Sequence, residues 1–522
     1  MIRLPASKRK GSIIPLQYKF GLCLNERKFE YDIYSLLKAF FPEAEITIWY
    51  EDQKKPEDMP DAEFHISYQG TSVGFTFGRT ASGAWDSALP QAPWSAVVLL
   101  DDPADRISCK NQVKQLVYKS LRQMTGRDLP WGDLTGIRPT KIFSRLLEEG
   151  KTEGEILAQT EKTYFISKKK AALALETAER ERRILAGMEA ENGYSLYVGI
   201  PFCPSICLYC SFGSHPMNRF GGMVQEYLEA LFRELRFISG MMKGRRLDTV
   251  YVGGGTPTSL TPDQLRQLLS VLQEQFPMET VREFTVEAGR PDTITEEKLE
   301  VLREFPVSRI SVNPQTMNQK TLDLIGRRHT VEETEEKFRL ARSMGFSNIN
   351  MDLIVGLPGE GQPEVERTLS RIRSLEPDSL TVHALALKRA ARLNLFREEY
   401  VPVSFEASDA IMDRTADCAG DMGMHPYYLY RQKNMAGNFE NVGYAKAGKE
   451  GIYNILIMEE KQTIMAAGSG ASTKFVFHGG RRIERVENVK DLGNYIGRLD
   501  EMLQRKREEA EKVRMEIRRE KL

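Results

Sequence analysis

The run Tyr194-Ser-Leu-Tyr-Val-Gly-Ile-Pro-Phe-Cys203-Pro-Ser-Ile-Cys207-Leu-Tyr-Cys210-Ser-Phe212 begins as a strand, 194–200, and passes into a loop with three cysteines spaced C-x3-C-x2-C. Three thiolates on one short loop can hold three corners of a cubane iron–sulfur cluster. The fourth iron is then left open to chemistry, as a catalytic zinc keeps one open position. The competing readings are chance clustering or a structural zinc loop. Zinc wants four ligands, and the nearest other candidate is His215.

Outward from this loop, the chain alternates strand and helix from 194 to about 385. Strands are expected at 194–200, 248–252, 283–288, 309–313, 349–355 and 379–385. Helices are expected near 222–239, 262–275, 296–304, 330–344 and 363–374. Thr293 with Glu296 and Thr330 with Glu333 have capping-box spacing. Such alternation predicts an α/β fold with a parallel sheet and covering helices. Six βα units make a partial barrel, whose site lies at the carboxyl ends of the strands.

The flanks read differently. Residues 1–185 form an amino-terminal α+β domain, with strands at Glu63–Tyr68 and Ser72–Phe77 and a buried strand at Ser95–Leu100. Gln112–Thr125 and Thr140–Leu147 read as helices, and Phe165–Met188 as a long charged one. Between the first two lies Leu129-Pro-Trp131-Gly-Asp-Leu-Thr-Gly-Ile-Arg138-Pro-Thr, where Arg138 and Lys141 either meet a carboxylate-bearing partner or belong to a packed, capped turn. The barrel spans 186–395. Residues 396–522 are a smaller α+β region: a helix at Glu406–Gly423, strands at Tyr427–Tyr430, Tyr453–Met458 and Lys474–His478, and a charged helix from Val489 with apolar spacing at Leu492, Tyr495, Leu499 and Leu503. Its last part reads as a solvated arm or a partner helix.

With 522 residues and 41% hydrophobic content the chain can bury several cores. Its net charge of zero points to no nucleic-acid or membrane partner. No signal peptide and no run of about 20 apolar residues is read. Cys23, Cys109 and Cys418 are scattered and read as buried thiols, which fits a reducing cytoplasm.

Further polar residues gather at the strand ends. Gly253-Gly254-Gly255-Thr256 closes the second strand, and glycines there let a ligand approach the backbone. Glu287 ends the third strand, where it either caps a loop or binds a cation or ribose hydroxyls. Gln315 follows the fourth. Asp352 interrupts the apolar fifth strand and needs a partner, Arg327 or a ligand. His383, Lys388, Arg389 and Arg392 follow the sixth, as a basic surface loop or as cations for substrate carboxylates.

Taken together, residues 190 to about 475 resemble the oxygen-independent coproporphyrinogen III oxidases of the radical S-adenosylmethionine (SAM) class, most of all the HemZ branch, the coproporphyrinogen dehydrogenases. The resemblance rests on PFCxxxCxYC, GGGTPT, the VEA strand end, NPQT with GRRHT, and MDLIVGLPGE. LPWGDLTGIRPTK, VHALALKRAARL and IYNILIMEEKQTI are shared with the HemZ branch. It implies a radical SAM partial (βα)6 barrel. It implies a 4Fe–4S cluster on Cys203, Cys207 and Cys210, and SAM against Tyr197, Gly254 and Glu287. Tyr209, Gly255, Thr256, Gln315, Arg327 and Asp352 match positions lining an adjoining part of the pocket, which in the oxidases holds a second SAM; Ala386 and Ser472 match less closely. The implied reaction uses one electron from a flavodoxin or ferredoxin to cleave SAM reductively. The resulting radical then oxidatively decarboxylates two coproporphyrinogen III propionates to the vinyl groups of protoporphyrinogen IX. Two positions depart from the oxidases: Gly199 stands where they have histidine, and Phe212 where they have a fourth cysteine. The second departure resembles the haem-chaperone branch. A haem-trafficking protein, or another SAM-dependent tetrapyrrole-modifying enzyme, is the alternative.

Overall fold

The computed structural model describes residues 18–42, 44–55, 60–80, 92–136, 138–189, 192–211, 213–385, 408–431, 439–480 and 482–520. The chain divides into two compact units, parted near residue 175.

The first unit carries strands β1 (Lys19–Leu24), β2 (Glu45–Tyr50), β3 (Ala62–Gln69), β4 (Ser72–Arg79) and β5 (Trp94–Leu99) in the order β2-β1-β3-β4-β5. β1 runs parallel to both neighbours, while β3, β4 and β5 form an antiparallel meander. Helices Glu30–Phe40 and Arg106–Thr125 supply Ile33, Leu37, Val113 and Val117 to a core shared with Phe20, Phe64 and Phe75. The strand expected to be buried at Ser95–Leu100 is instead an edge strand. Trp94, Ala96 and Val98 pack inward, whereas Val97 and Leu99 are 67% and 69% exposed. An unbroken apolar run reads as buried on both faces, but only one face of this strand meets a core.

The Trp131 loop is a packed turn. Trp131 is fully buried, and Asp133 donates its N–H to the Tyr164 carbonyl at 2.9 Å. Lys141 is exposed. Gly132 has φ +55°, and a Cβ there would lie 1.9 Å from the Tyr164 carbonyl oxygen. Gly132→Ala therefore meets both a left-handed backbone and a backbone clash, and is expected to destabilise this unit by at least about 2 kcal/mol. Thermal unfolding against wild type measures it. The expected helix from Phe165 begins later, at Lys168, and runs to Leu185. Phe165 instead ends a preceding helix, Glu153–Tyr164, in a left-handed conformation, with its ring stacked 5.1 Å from Tyr118.

The second unit is built on one mixed sheet. Its parallel strands are β6 (Gly193–Ile200), β9 (Arg246–Gly254), β10 (Glu283–Gly289), β11 (Arg309–Val312), β12 (Ile349–Val355) and β13 (Ser379–Ala384), adjacent in chain order. A short pair, β7 (Phe202–Cys203) and β8 (His215–Pro216), brackets the cysteine loop. Helices Val224–Met241, Pro262–Gln275, Glu296–Glu304, Val331–Ser343 and Gln362–Leu375 connect the strands, as expected of βα units. Thr330 and Glu333 form the capping box. Thr293 does not cap: Thr295 accepts from Lys298 N, and the Thr293 hydroxyl pairs with Thr258 at 2.7 Å and donates to the Arg290 carbonyl.

The sheet continues past the six units. β15 (Asn441–Ala445) and then β14 (His425–Tyr430) extend the β13 edge antiparallel, with helix Asp409–Asp421 leading into β14. β16 (Thr463–Ala467) lies parallel to β6, and β17 (Ser472–Phe477) and β18 (Arg482–Glu487) follow antiparallel. The expected strand at Tyr453–Met458 is a helix, Ile452–Glu459. So short an apolar run has no period that separates strand from helix; burial of Tyr453, Ile455, Leu456 and Glu459 decides it. The buried Glu283 carboxylate accepts from the first N–H groups of this helix, at Ile452 and Tyr453, matching the positive end of the helix dipole. The helix touches both β9 and β14. In a flat sheet six strand spacings would part them by about 29 Å. The sheet is therefore curled into a partial barrel around this helix.

Candidate active site

Each strand end contributes to one region. The cysteine loop leaves β6 and is tied down along its length. Leu208 N–H donates to the Ile325 carbonyl at 2.9 Å, and Ser205 Oγ donates to the Gly326 carbonyl at 3.1 Å. Gly255 N–H donates to Ile200 O and Thr256 N–H to Phe202 O, both at 2.8 Å. A Cβ on Gly255 would lie 2.6 Å from the Phe202 carbonyl oxygen. The glycine there thus makes room for the chain's own cysteine loop. Gly254, at φ +108°, makes room for the Tyr197 hydroxyl, and Gly253 for the Glu287 carboxylate.

Cys203 and Cys207 are buried and Cys210 is half-buried. Every sulfur has a polar neighbour: Thr256 Oγ1 lies 3.4 Å from Cys203, Arg290 Nη1 3.8 Å from Cys207, and Ser214 Oγ 3.7 Å from Cys210. Burial pushes the Cys203 thiol up to about 11, with the Thr256 hydroxyl pulling the other way. Three soft sulfurs on a pinned loop, each facing a potential hydrogen-bond donor, suit a thiolate-bound cluster.

Behind the loop, Tyr197, Tyr251 and Tyr453 stack, with Tyr251 and Tyr453 4.5 Å apart. The Tyr251 hydroxyl donates to Glu287. Burial lifts the Glu287 carboxyl to about 7, against the pull of that hydrogen bond, with Asp352 adding repulsion. Gln315 sits just after β11 at φ +66°, an uncommon backbone for a residue with a side chain. Two backbone hydrogen bonds to β12 hold it there: its N–H to Asp352 O and Ile354 N–H to its own carbonyl, each 2.9 Å. Asp352 accepts from Asn350 Nδ2 at 2.7 Å and has His383 Nε2 at 4.0 Å. Arg327 is not its partner. It lies against Cys207 and Tyr209 and donates to the Asn313 carbonyl at 2.5 Å.

Tyr197, Cys203, Cys207, Tyr209, Cys210, Gly254, Gly255, Thr256, Glu287, Gln315, Arg327 and Asp352 thus all lie around the carboxyl ends of β6 to β12. Ser472 opens β17. Ala386, Lys388, Arg389, Arg392 and Phe212 lie outside the described residues. At Gly199 a Cβ would press within 3.3 Å of the Ala467 carbonyl and 3.4 Å of the Tyr197 ring, so the backbone position is tightly enclosed. Arg290, Tyr251 and Tyr453 escaped the sequence reading. Only Tyr251 had a signal, its alternation with Val250 and Val252 placing it on the opposite face of β9.

A parallel strand-helix array with a three-cysteine loop after its first strand defines a radical SAM protein, and residues 197–372 match the Radical SAM superfamily. The chain is 43% identical over 395 residues to an "oxygen-independent coproporphyrinogen-III oxidase-like protein HemZ" of Bacillus subtilis, covering 75% of this chain and 79% of that one. It belongs to this family of radical SAM proteins related to the coproporphyrinogen III oxidases. A haem chaperone, HemW, of Bacillus subtilis is 32% identical over 304 residues, 58% of this chain and 75% of the relative. An oxygen-independent coproporphyrinogen III oxidase of Salmonella typhimurium is 32% identical over 223 residues, 43% and 46% of the two chains. Among the described residues no helix is long and apolar enough to cross a membrane.

Proposed function

We propose that the protein is a cytoplasmic radical SAM enzyme that oxidatively decarboxylates propionate side chains of coproporphyrinogen III to vinyl groups. The observation that carries the reading is the pinned loop of Cys203, Cys207 and Cys210 beside the glycine strand end and Glu287. The three cysteines would hold three irons of a 4Fe–4S cluster, and a flavodoxin- or ferredoxin-type donor would serve it. Tyr197, Gly254 and Glu287 would contact SAM. Tyr209, Gly255, Thr256, Gln315, Arg327 and Asp352 would line the adjoining pocket. When bound, the reduced cluster and SAM would supply a carbon radical able to take a hydrogen atom from an unactivated C–H bond.

The chain's own residues have separable tasks. The Tyr197, Tyr251 and Tyr453 rings fill the barrel behind the loop and exclude water. Tyr251 fixes the Glu287 carboxylate in one orientation. The backbone bonds at Gly255 and Thr256 hold the cysteine loop to β9, so both parts of the site move together. Lys388, Arg389 and Arg392 are proposed to meet the substrate carboxylates.

The test is an anaerobic assay of the reconstituted protein with SAM, a strong reductant and coproporphyrinogen III, read by mass spectrometry. Products lighter by one or two HCOOH units, together with 5′-deoxyadenosine, are expected. Deoxyadenosine with an unchanged porphyrin would move the substrate elsewhere. Stoichiometric haem binding without decarboxylation would replace the reading by haem trafficking, in line with the Bacillus subtilis relative HemW, which is named a haem chaperone.

A further inference from the structure

Three residues after Glu287, Arg290 leaves β10 and turns back under the cysteine loop, only 3% exposed. Its guanidinium is divided between two tasks. Nε and Nη2 grip Asp292 in a bidentate pair at 2.9 and 2.7 Å. That leaves Nη1 for the loop: it donates to Ser205 Oγ at 2.8 Å, to the Ser205 carbonyl at 3.1 Å, and lies 3.8 Å from the Cys207 sulfur. A bidentate carboxylate fixes the guanidinium plane, so the third nitrogen has a defined direction. The Thr256 and Ser214 hydroxyls lie near the Cys203 and Cys210 sulfurs, and Arg327 is a second guanidinium against Cys207.

A cation held beside one thiolate draws electron density from it, and burial leaves that charge poorly screened. Hydrogen bonds to the sulfurs and the local net charge set the reduction potential of an iron–sulfur cluster. We propose that Arg290, aimed by Asp292, is a positioning residue that raises the reduction potential of a cluster bound through Cys207 and clamps the loop that carries it. The inference rests on the cluster reading above. It adds that the two side chains act with opposite sign. Arg290 eases the entry of an electron, and the charge of Asp292 holds that effect in check.

The test is an anaerobic redox titration with dithionite, followed by electron paramagnetic resonance, on the reconstituted full chain, with iron counted in each variant. Arg290→Gln is expected to lower the midpoint by at least about 59 mV, a tenfold change for a one-electron couple. Arg290→Lys keeps the charge and is expected to recover more than half of that shift. Asp292→Asn keeps the guanidinium and is expected to move the midpoint upward, at least about threefold in the same equilibrium. Opposite shifts are not what a merely structural pair would give. Iron loss with an unmoved midpoint in the residual cluster, or midpoints of both Arg290→Gln and Asp292→Asn within about 10 mV of wild type, overturns the proposal. Should Arg290→Gln fail to hold iron, the sign of the Asp292→Asn shift decides. A wild-type chain that binds no such cluster would instead overturn the underlying reading, and its iron count distinguishes that outcome.

Discussion

Cys203→Ala, Cys207→Ala and Cys210→Ala are each expected to abolish cluster binding, with iron falling from about four per chain to less than one. Cleavage of SAM to 5′-deoxyadenosine should fall with it by more than the roughly 100-fold that loss of an outer partner of a metal site costs. The other three cysteines lie outside the loop in the chain. Cys23 and Cys418 are buried, with thiols pushed up chiefly by that burial, and both lie outside the loop, as does the buried Cys109. Cys23→Ala, Cys109→Ala and Cys418→Ala are therefore the controls that should keep their iron. Iron analysis and anaerobic product assay together make the measurement. Retained SAM cleavage in the triple variant of the loop would sink the assignment.

The second large effect lies far along the chain. Lys506, in the final helix Leu499–Glu520, has a fully buried side chain, with Nζ 2.7 Å from Glu234 Oε1 and 2.6 Å from Asn488 Oδ1. Glu234 also accepts from Gly468 N–H, Asn488 Nδ2 and the Tyr495 hydroxyl, at 2.8, 2.8 and 2.6 Å. Removing one partner of a buried pair leaves the other charge uncompensated. Lys506→Met is thus expected to destabilise the barrel unit by about 3–5 kcal/mol. Replacing both, Glu234→Gln with Lys506→Met, should cost less than the single change, because two charges no longer need to be desolvated. Urea unfolding of the three proteins tests this, and a single-variant loss under about 1 kcal/mol would contradict it. The network reaches the site. Tyr227 accepts from Ser469 N–H at 3.3 Å and donates to the Gly199 carbonyl at 2.5 Å, at the end of β6 just before the cysteine loop.

Much of the barrel was legible because its signals are local. Each βα unit pairs an apolar strand with an amphipathic helix, and β6, β12 and helices 262–275 and 296–304 fall within a residue of expectation. The cysteine spacing and the glycine strand end are also local, since a loop ligand set is written in consecutive residues. Legibility failed where one short segment had two physically acceptable states. Tyr453–Met458 became a helix once Glu283 received its amino end and Tyr453 found the ring of Tyr251. Ser95–Leu100 kept its strand but lost its second layer.

The amino-acid sequence by itself determined the alternation of strands and helices through the six βα units, the position of the three thiols on one loop, and the class of protein to which such a loop points. Periodicity and spacing suffice for these because they act within a few residues. Only the tertiary structure decided the pairings between distant residues: Arg327 with Cys207 instead of Asp352, Arg290 under the cysteine loop, β16 against β6, and Lys506 buried on Glu234. A lysine in a charged terminal helix carries no mark of burial. Its state follows from a carboxylate 272 positions away that must be neutralised when the two helices pack.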